Sequence, residues 1–532
     1  MPFVPLRKTG AHAAAGSVNA PAGSVNAAAG PVNAAAGSVK KRASAVTLAL
    51  LVPLTATGCY PAGAGAADAR PGADHGNERL FPGLGNGGYD AHSYDVHFDY
   101  RAGTTRMRAD SVMDAIATQN LSRFSLDSAV KDIEKVTVND RPARFRTDAK
   151  REKLHVVPEK PVGDGNAFRV RIRYTADRAK DPVSPAYHLP KGIEWPVKSW
   201  INTKDGFAFM GQPDRAHLFF PSNDVPSDKA RVTLGVTVPR GTKAVANGDL
   251  VRHRRLAGSR DEYTYTTRDE IPTHVTQLAV GKFRAVDQRG PHGLPVRSWV
   301  PADQYDKTVS NARRTAGQIS WLEKTLGLRY PFDRYGVLGV DSDYNGVALE
   351  TATLSTFSAH ALTVEPSKLT PIMVHELAHQ WFGDAVSVRS WDDMWLSEGH
   401  ATYYQMLYAA SHGGDALDAA MKKEYAGDAE QRSTGGPPAR LKKATSLLFN
   451  TDAPGALMLY GLRNKVGEST FRKIETTFFR TYQGRSAITQ DYIDIANRVS
   501  GEDLTPYVKS WLHGKTTPPM PTHPNWKPSN PH

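Results

Sequence analysis

The stretch HELAHQWFGDAVSVRSWDDMWLSE, residues 375–398, sets two histidines four positions apart, with eighteen residues between the second and a glutamate. On an α-helix, positions i and i+4 lie about 40° apart on one face, so His375 and His379 can grip one metal ion. Glu376, between them, then faces a water on that ion as general base. Glu398, from a following helix, is the third ligand and leaves the fourth tetrahedral position open, as a catalytic zinc requires. Trp381, Phe382, Trp391 and Trp395 flank the site, and WLSEGHATYY (395–404) is itself helix-like. These companions separate the pattern from a chance HExxH or from two core histidines. Two neutral imidazoles and one carboxylate leave zinc net positive, which lowers the pKa of its water toward neutrality. Glu376 takes the proton as that water attacks a carbonyl and can deliver it to the leaving amine. The expectation is one zinc ion and peptide-bond hydrolysis.

Outward from this stretch, the 532 residues are too many for one typical core. From Tyr89 to about Val286 the texture is β: SYDVHFDY (93–100), KVTVN (135–139), FRVRIRY (168–174), RVTLGVTV (231–238) and EYTYTT (262–267) alternate and are separated by turn formers. After about residue 300 the period turns helical, with helices expected at 304–326, 370–383, 393–411, 414–430, 455–466 and 487–499. Pro371 suits a first-turn position there, with Thr370 as N-cap. The fold class expected is multidomain α+β, an antiparallel β-domain followed by a mostly helical one.

The first eighty residues read differently. Residues 16–39 repeat GSVNAPA, GSVNAAA, GPVNAAA and GSV with period seven; glycine in each repeat argues for low complexity over a coiled coil. Lys40-Lys41-Arg42, fifteen largely apolar residues from Ala43 to Thr57, and Gly58-Cys59 form a secretory signal. The end resembles a bacterial lipobox, with Ala56 where a leucine is usual, and makes Cys59 the expected lipidation site. Fifteen residues are short for a membrane span of about 20. The chain has one cysteine, so no intrachain disulfide can brace an exported fold. Net charge is +12, and without residues 1–58 there remain 61 basic against 54 acidic residues. That balance is diffuse, with no basic run interleaved with aromatics, and nucleic acid is not an expected partner. The expected division is 1–39 low-complexity extension, 40–59 signal, 60–80 tether, 81–290 β-domain, 291–521 catalytic domain and 522–532 tail.

VHELAHQWFGDAVS and RSWDDMWLSEGHATYY together closely resemble the aminopeptidase N-type zinc metallopeptidases, the gluzincins. GQPDRAHLFFPSNDVPSDKA (211–230), VANGDL (245–250), RYPFDRYGVL (329–338) and DLTPYVKSWLHGKTTPPMP (503–521) are similar too, so the resemblance covers roughly residues 80–521. It implies a β-saddle N-domain on a thermolysin-like catalytic domain, without the long C-terminal helical domain of larger members. It also implies an aminopeptidase acting on peptides. The family's glycine-x-methionine-glutamate-asparagine motif aligns with Val347-Ala348-Leu349-Glu350-Thr351, where only the glutamate is retained. Glu350 is thus implied to bind the substrate α-ammonium, and Gln212 to touch the same amine. Where the family places an oxyanion-stabilising tyrosine, three residues before the glycine of the next helix, this chain has Asp452. Tyr460 is the nearby tyrosine. Losing such a donor typically costs about 10²–10³ in turnover. Two alternatives therefore stay open: a weakly active or inactive protein that captures peptide N-termini, and a zinc endopeptidase or hydrolase of other substrates. GLGNGG (83–88) precedes a strand rather than a helix and implies no dinucleotide site. DSDYNG (341–346) lacks the twelfth-position glutamate of a calcium loop, having Ala352.

Overall fold

Strand Ala167–Asp177 shows how the N-terminal half is built: Phe168, Val170, Ile172 and Tyr174 point inward and are buried, while Arg169, Arg171 and Arg173 alternate with them on the exposed face. This strand belongs to an eight-stranded sheet, ordered Asp249–Leu256, Arg260–Thr266, Arg231–Pro239, Tyr89–Asp99, Arg106–Ala117, Ala167–Asp177, Asp132–Val138 and Arg141–Pro142. The pairings are antiparallel except at Tyr89–Asp99 with Arg231–Pro239, which run parallel. The sheet is therefore antiparallel, as expected, at every pairing but this one. The two parallel strands are far apart in sequence, and the long intervening chain can return in either direction.

The computed structural model describes residues 68–130, 132–180, 198–341, 348–447 and 449–529. The low-complexity repeats, the expected export signal, Cys59, Val347 and most of DSDYNG lie outside the described residues. The described residues fall within one compact unit. Among the described residues, no helix is long and apolar enough to cross a membrane.

Two smaller sheets carry the chain toward the cleft. Trp200–Thr203, Gly206–Met210, Gln277–Gly281 and Lys243–Ala246 form one, whose second strand ends just before Gln212. The other is five-stranded, ordered Phe283–Arg289, Pro295–Pro301, Val337–Val340, Ser355–Ser358 and Ala348–Leu349. The hairpin of Phe283–Arg289 and Pro295–Pro301 straddles residue 290, so the expected domain division there falls inside a paired unit. The pairing partners of this hairpin lie downstream, in the catalytic half.

The helices are α1 (Tyr305–Ala312), α2 (Thr315–Leu326), α3 (Pro366–Ala378), α4 (Trp395–Ser411), α5 (Leu417–Gly435), α6 (Ala453–Val466), α7 (Glu468–Tyr482), α8 (Thr489–Ser500) and α9 (Thr505–His513). The single helix expected over 304–326 is broken between α1 and α2. There the Thr315 hydroxyl donates to Ala312 O at 2.9 Å, a local bond that competes with the helical ladder. Helix α3 begins a turn earlier than expected, because Pro366 takes the first-turn place. Pro371 is consequently interior, and Thr370 is no cap: its hydroxyl bonds back to Pro366 O at 2.6 Å. Helix α7 is not among the helices named from the sequence; Phe471, Ile474, Phe478 and Phe479 give it one buried face.

Candidate active site

Helix α3 presents His375, Glu376 and His379 at its C-terminal end, and α4 presents Glu398 in its first turn. The Glu398 carboxylate lies 3.4 Å from His375 Nε2 and 3.7 Å from His379 Nε2. Tetrahedral ligands about 2.0–2.1 Å from a metal stand about 3.3 Å apart, so these spacings suit one ion. The three ligand atoms lie within 4.8 Å of one another and all three residues are buried. The tautomer suits it as well. His379 Nδ1 approaches Phe382 O at 3.3 Å and Ser397 Oγ at 2.9 Å; a carbonyl only accepts, so Nδ1 carries the hydrogen and Nε2 keeps its lone pair. Burial lowers His375 to about 4 and lowers His379 too, which keeps both imidazoles neutral, the ligating form.

The carboxyl groups tell the same story in the opposite direction. Burial pushes Glu398 up to about 8, and the nearby charges of Glu350 and Asp452 add to this while His379 opposes it. Glu376 is raised well above the ordinary range by burial, then by Glu350, Glu398 and Asp384. A buried group of carboxylates with neutral histidines is short of positive charge, and a divalent cation supplies it.

Helix α4 is fixed from beneath. His400 Nε2 lies 3.1 Å from the Glu475 carboxylate of α7, which also accepts from Tyr404 at 3.1 Å and from Tyr492 of α8 at 2.8 Å. On its other side α4 meets α6 at two glycines. A Cβ on Gly399, next to Glu398, would come within 2.8 Å of Gly455 Cα, so the backbones touch directly.

Glu350 follows the edge strand Ala348–Leu349 and is buried beside the metal cluster. One ligand atom each of Glu350, Glu376 and His379 also lie within 4.8 Å of one another. Gln212, from the N-terminal half, donates through Nε2 to Glu350 Oε1 at 2.7 Å. The structure thus gathers Gln212, Glu350, His375, Glu376, His379 and Glu398.

The two expected oxyanion-donor positions fare differently. Asp452 stands at the start of α6 with its charge felt by His375 and Glu398, and burial pushes its carboxyl up. The Tyr460 hydroxyl is engaged elsewhere, donating to Asp418 Oδ1 at 2.8 Å and pairing with His523 Nε2 at 2.7 Å, with its ring stacked on Trp526. Tyr460 lies a turn and a half into α6, which turns it to the C-terminal tail. The expected donor role for Tyr460 is corrected accordingly.

Sequence reasoning passed over Gln380, Asp384 and Ser397, which hold the site from behind, and gave Asn247 no role within VANGDL. Gln380 and Ser397 each stand beside a metal-site residue in sequence, which was the available signal.

Residues 311–511 match the Peptidase family M1 domain and residues 90–275 match the Peptidase M1 N-terminal domain. The crystal structure of an M1 zinc metallopeptidase from Deinococcus radiodurans is 30% identical, with a TM-score of 0.73, over 85% of this chain and 99% of that one. A mutant of that enzyme bound to a Tyr-Ser-Ala substrate aligns with a TM-score of 0.72. Aminopeptidase 2 of Candida albicans is 21% identical over 79% of this chain, and leucyl aminopeptidase of Saccharolobus solfataricus 25% identical over 58%. The chain spans only 46% and 41% of those two relatives. With both halves of the fold matched and its metal cluster suited to one ion, the chain belongs to the M1 family of zinc metallopeptidases.

Proposed function

We propose that this protein is a zinc aminopeptidase that removes single residues from the free N-terminus of peptides. The observation that carries the reading is the shared cluster of Glu350, Glu376 and His379, whose ligand atoms lie within 4.8 Å of one another. The α-amino nitrogen and the first carbonyl carbon of a peptide are separated by about 2.5 Å. An ammonium on Glu350 therefore leaves only the first peptide bond within reach of Glu376. His375, His379 and Glu398 hold the zinc, which when bound supplies a Lewis acid and an acidified water. Glu376 accepts the proton of the attacking water and returns it to the leaving amine. Glu350 pairs with the ammonium, and Gln212 holds the Glu350 carboxylate in place and orients it.

Purified protein should release residues from free aminoacyl reporters, reject the N-acetylated forms, and stop on chelation. Glu376→Gln should retain zinc and lose turnover by about 10²–10⁴. Equal rates on free and acetylated substrates would instead identify an endopeptidase, and unchanged turnover in Glu376→Gln would overturn the proton role. A second reading, capture of peptide N-termini with little turnover, draws on one observation, the carboxyl of Asp452 where a donor hydroxyl was sought. Peptide binding with negligible wild-type kcat would select it.

The export signal and Gly58-Cys59 support placing the protein outside the cytoplasmic membrane, lipid-anchored at Cys59. Cys59→Ser should move it from the membrane fraction to the soluble one; an unchanged distribution would count against the anchor.

A further inference from the structure

The hairpin loop that carries Glu350 is gripped by side chains that do not belong to the metal cluster. At its tip Thr353 has φ 64°, a left-handed conformation that a β-branched residue adopts only when its surroundings impose it. From the N-terminal half, Asn247 Nδ2 donates to Ala352 O at 2.6 Å and to Val275 O at 3.2 Å, while its Oδ1 accepts from Gln277 N–H at 2.7 Å. The adjacent Gly248 N–H donates to Thr353 Oγ1 at 2.8 Å, and Ala352 N–H donates to Val275 O at 3.1 Å. From the turn after α3, Gln380 Oε1 accepts from Thr353 N–H at 2.8 Å and from the Tyr330 hydroxyl at 3.2 Å. Gln380 Nε2 donates to Asp384 Oδ2 at 2.8 Å. Asn247 is 2% exposed and Gln380 fully buried. Both amide hydrogens of Asn247 and its carbonyl are thus spent on this one junction.

We propose that Asn247, with Gln380 behind it, is a positioning residue for recognition of the substrate amine. It imposes the strained turn at Ala352 and Thr353 and thereby places Glu350, two residues upstream, without touching substrate. This rests on the aminopeptidase reading of Glu350. The N-terminal half accordingly reaches the amine pocket twice, directly through Gln212 and indirectly through the Asn247 clamp. Buried polar groups so fully satisfied define one geometry, and removing the central amide takes a hydrogen bond from three partners at once. The metal ligands sit on α3 and α4, which Asn247 does not contact through any of these bonds. Asn247 therefore acts on substrate placement and leaves metal binding alone.

The test compares wild type, Glu350→Gln, Asn247→Ala and Asn247→Asp on free and N-acetylated aminoacyl reporters, with zinc content measured for each. Asn247→Asp keeps the acceptor for Gln277 and loses both donors. Small displacements of a binding group cost up to about 10²-fold, so both Asn247 variants should raise KM for the free reporter about tenfold, with a smaller change in kcat. Zinc stoichiometry should hold, and the preference for free over acetylated substrate should fall. Adding Thr353→Gly to Asn247→Ala should recover part of the KM, because glycine adopts φ 64° unforced. An unchanged KM in both Asn247 variants overturns the clamp, as does loss of zinc or kcat in proportion to lost protein with KM intact. A wild type inactive on the free reporter, or one whose KM ignores Glu350→Gln, removes the aminopeptidase reading itself; a KM that answers to Glu350→Gln but to neither Asn247 variant removes only the clamp.

Discussion

His375, His379 and Glu398 come from two consecutive helices, whereas Glu350 and the groups that hold it come from an edge hairpin, from two separate N-terminal segments and from the residue after His379. The metal side of the cleft is a local construction and needs only α3 and α4 at the right angle. The amine side is an assembly across the whole chain, and it exists only when both halves have folded. Chemistry that any metallohydrolase needs is thus held by neighbours in sequence. The proposed selectivity for a chain end rests on contacts between distant parts.

The largest effect that separates the two sides is Glu376→Gln, which should abolish most turnover while zinc stays bound; lost zinc would mean that the base also holds the metal site together. Next, Glu350→Gln keeps the shape but removes the charge proposed to pair with the ammonium. It should raise KM for free reporters by about 10-fold or more, since charge-assisted bonds to an ionised partner contribute about 1.5–3 kcal/mol. If rates on acetylated substrate fall by the same factor, the amine side is not selective and the comparison fails. Third, Gly399→Ala pushes a methyl into the Gly455 backbone and should cost about 1–3 kcal/mol, seen as a lower Tm. Because that strain falls on α4, zinc affinity should suffer before KM does.

The smallest effect concerns pH. His217 in the N-terminal half is buried; burial opposes its charge, yet the hydrogen bonds and charges of Asp224 and Glu152 outweigh it and raise its pKa to about 10. Burial likewise opposes the Glu152 charge, but His217 and Arg215 prevail and lower it to about 2. A raised histidine stabilises fully below its ordinary value near 6.5 and loses that contribution as pH rises through 10. A lowered glutamate stabilises fully above about 4.5 and loses it as pH falls through 2. The network is therefore at full strength between those ordinary values. Asp224 also accepts from Thr273 Oγ1 at 2.7 Å, at the start of the turn whose Val275 carbonyl meets the Glu350 loop. Denaturation between pH 6.5 and 10 should show stability falling in wild type more steeply than in His217→Gln; parallel curves would exclude the network as the source.

The same contrast explains what could be read from the chain alone. His375, Glu376, His379 and Glu398 were legible because helical periodicity converts spacing into direction. The strands were legible from alternation, as in Ala167–Asp177. Glu350 and Gln212 entered through family resemblance, since nothing local singles out a glutamate at a hairpin edge, and the structure places the two side chains together. Asn247 and Gln380 show no periodic signal, because their partners lie at remote positions. Tyr460 turns to Asp418 and His523 instead, and distance along a helix says nothing of what the tail will cover. At α3, two prolines competed for one role, and the earlier one, Pro366, took it.

The contact between Gly399 and Gly455 carries a further consequence, for how this protein can change over generations. Most crowded contacts in a core can be relieved by trimming the neighbour when one residue grows. Here neither partner has anything to trim, since both are already glycine and the atoms that meet are main chain. No second substitution at the partner position can compensate for the first. The spacing between the helix that carries Glu398 and the helix that begins at Asp452 is thus closed to gradual exploration, and drift toward other activities has to proceed through the loops and the N-terminal half.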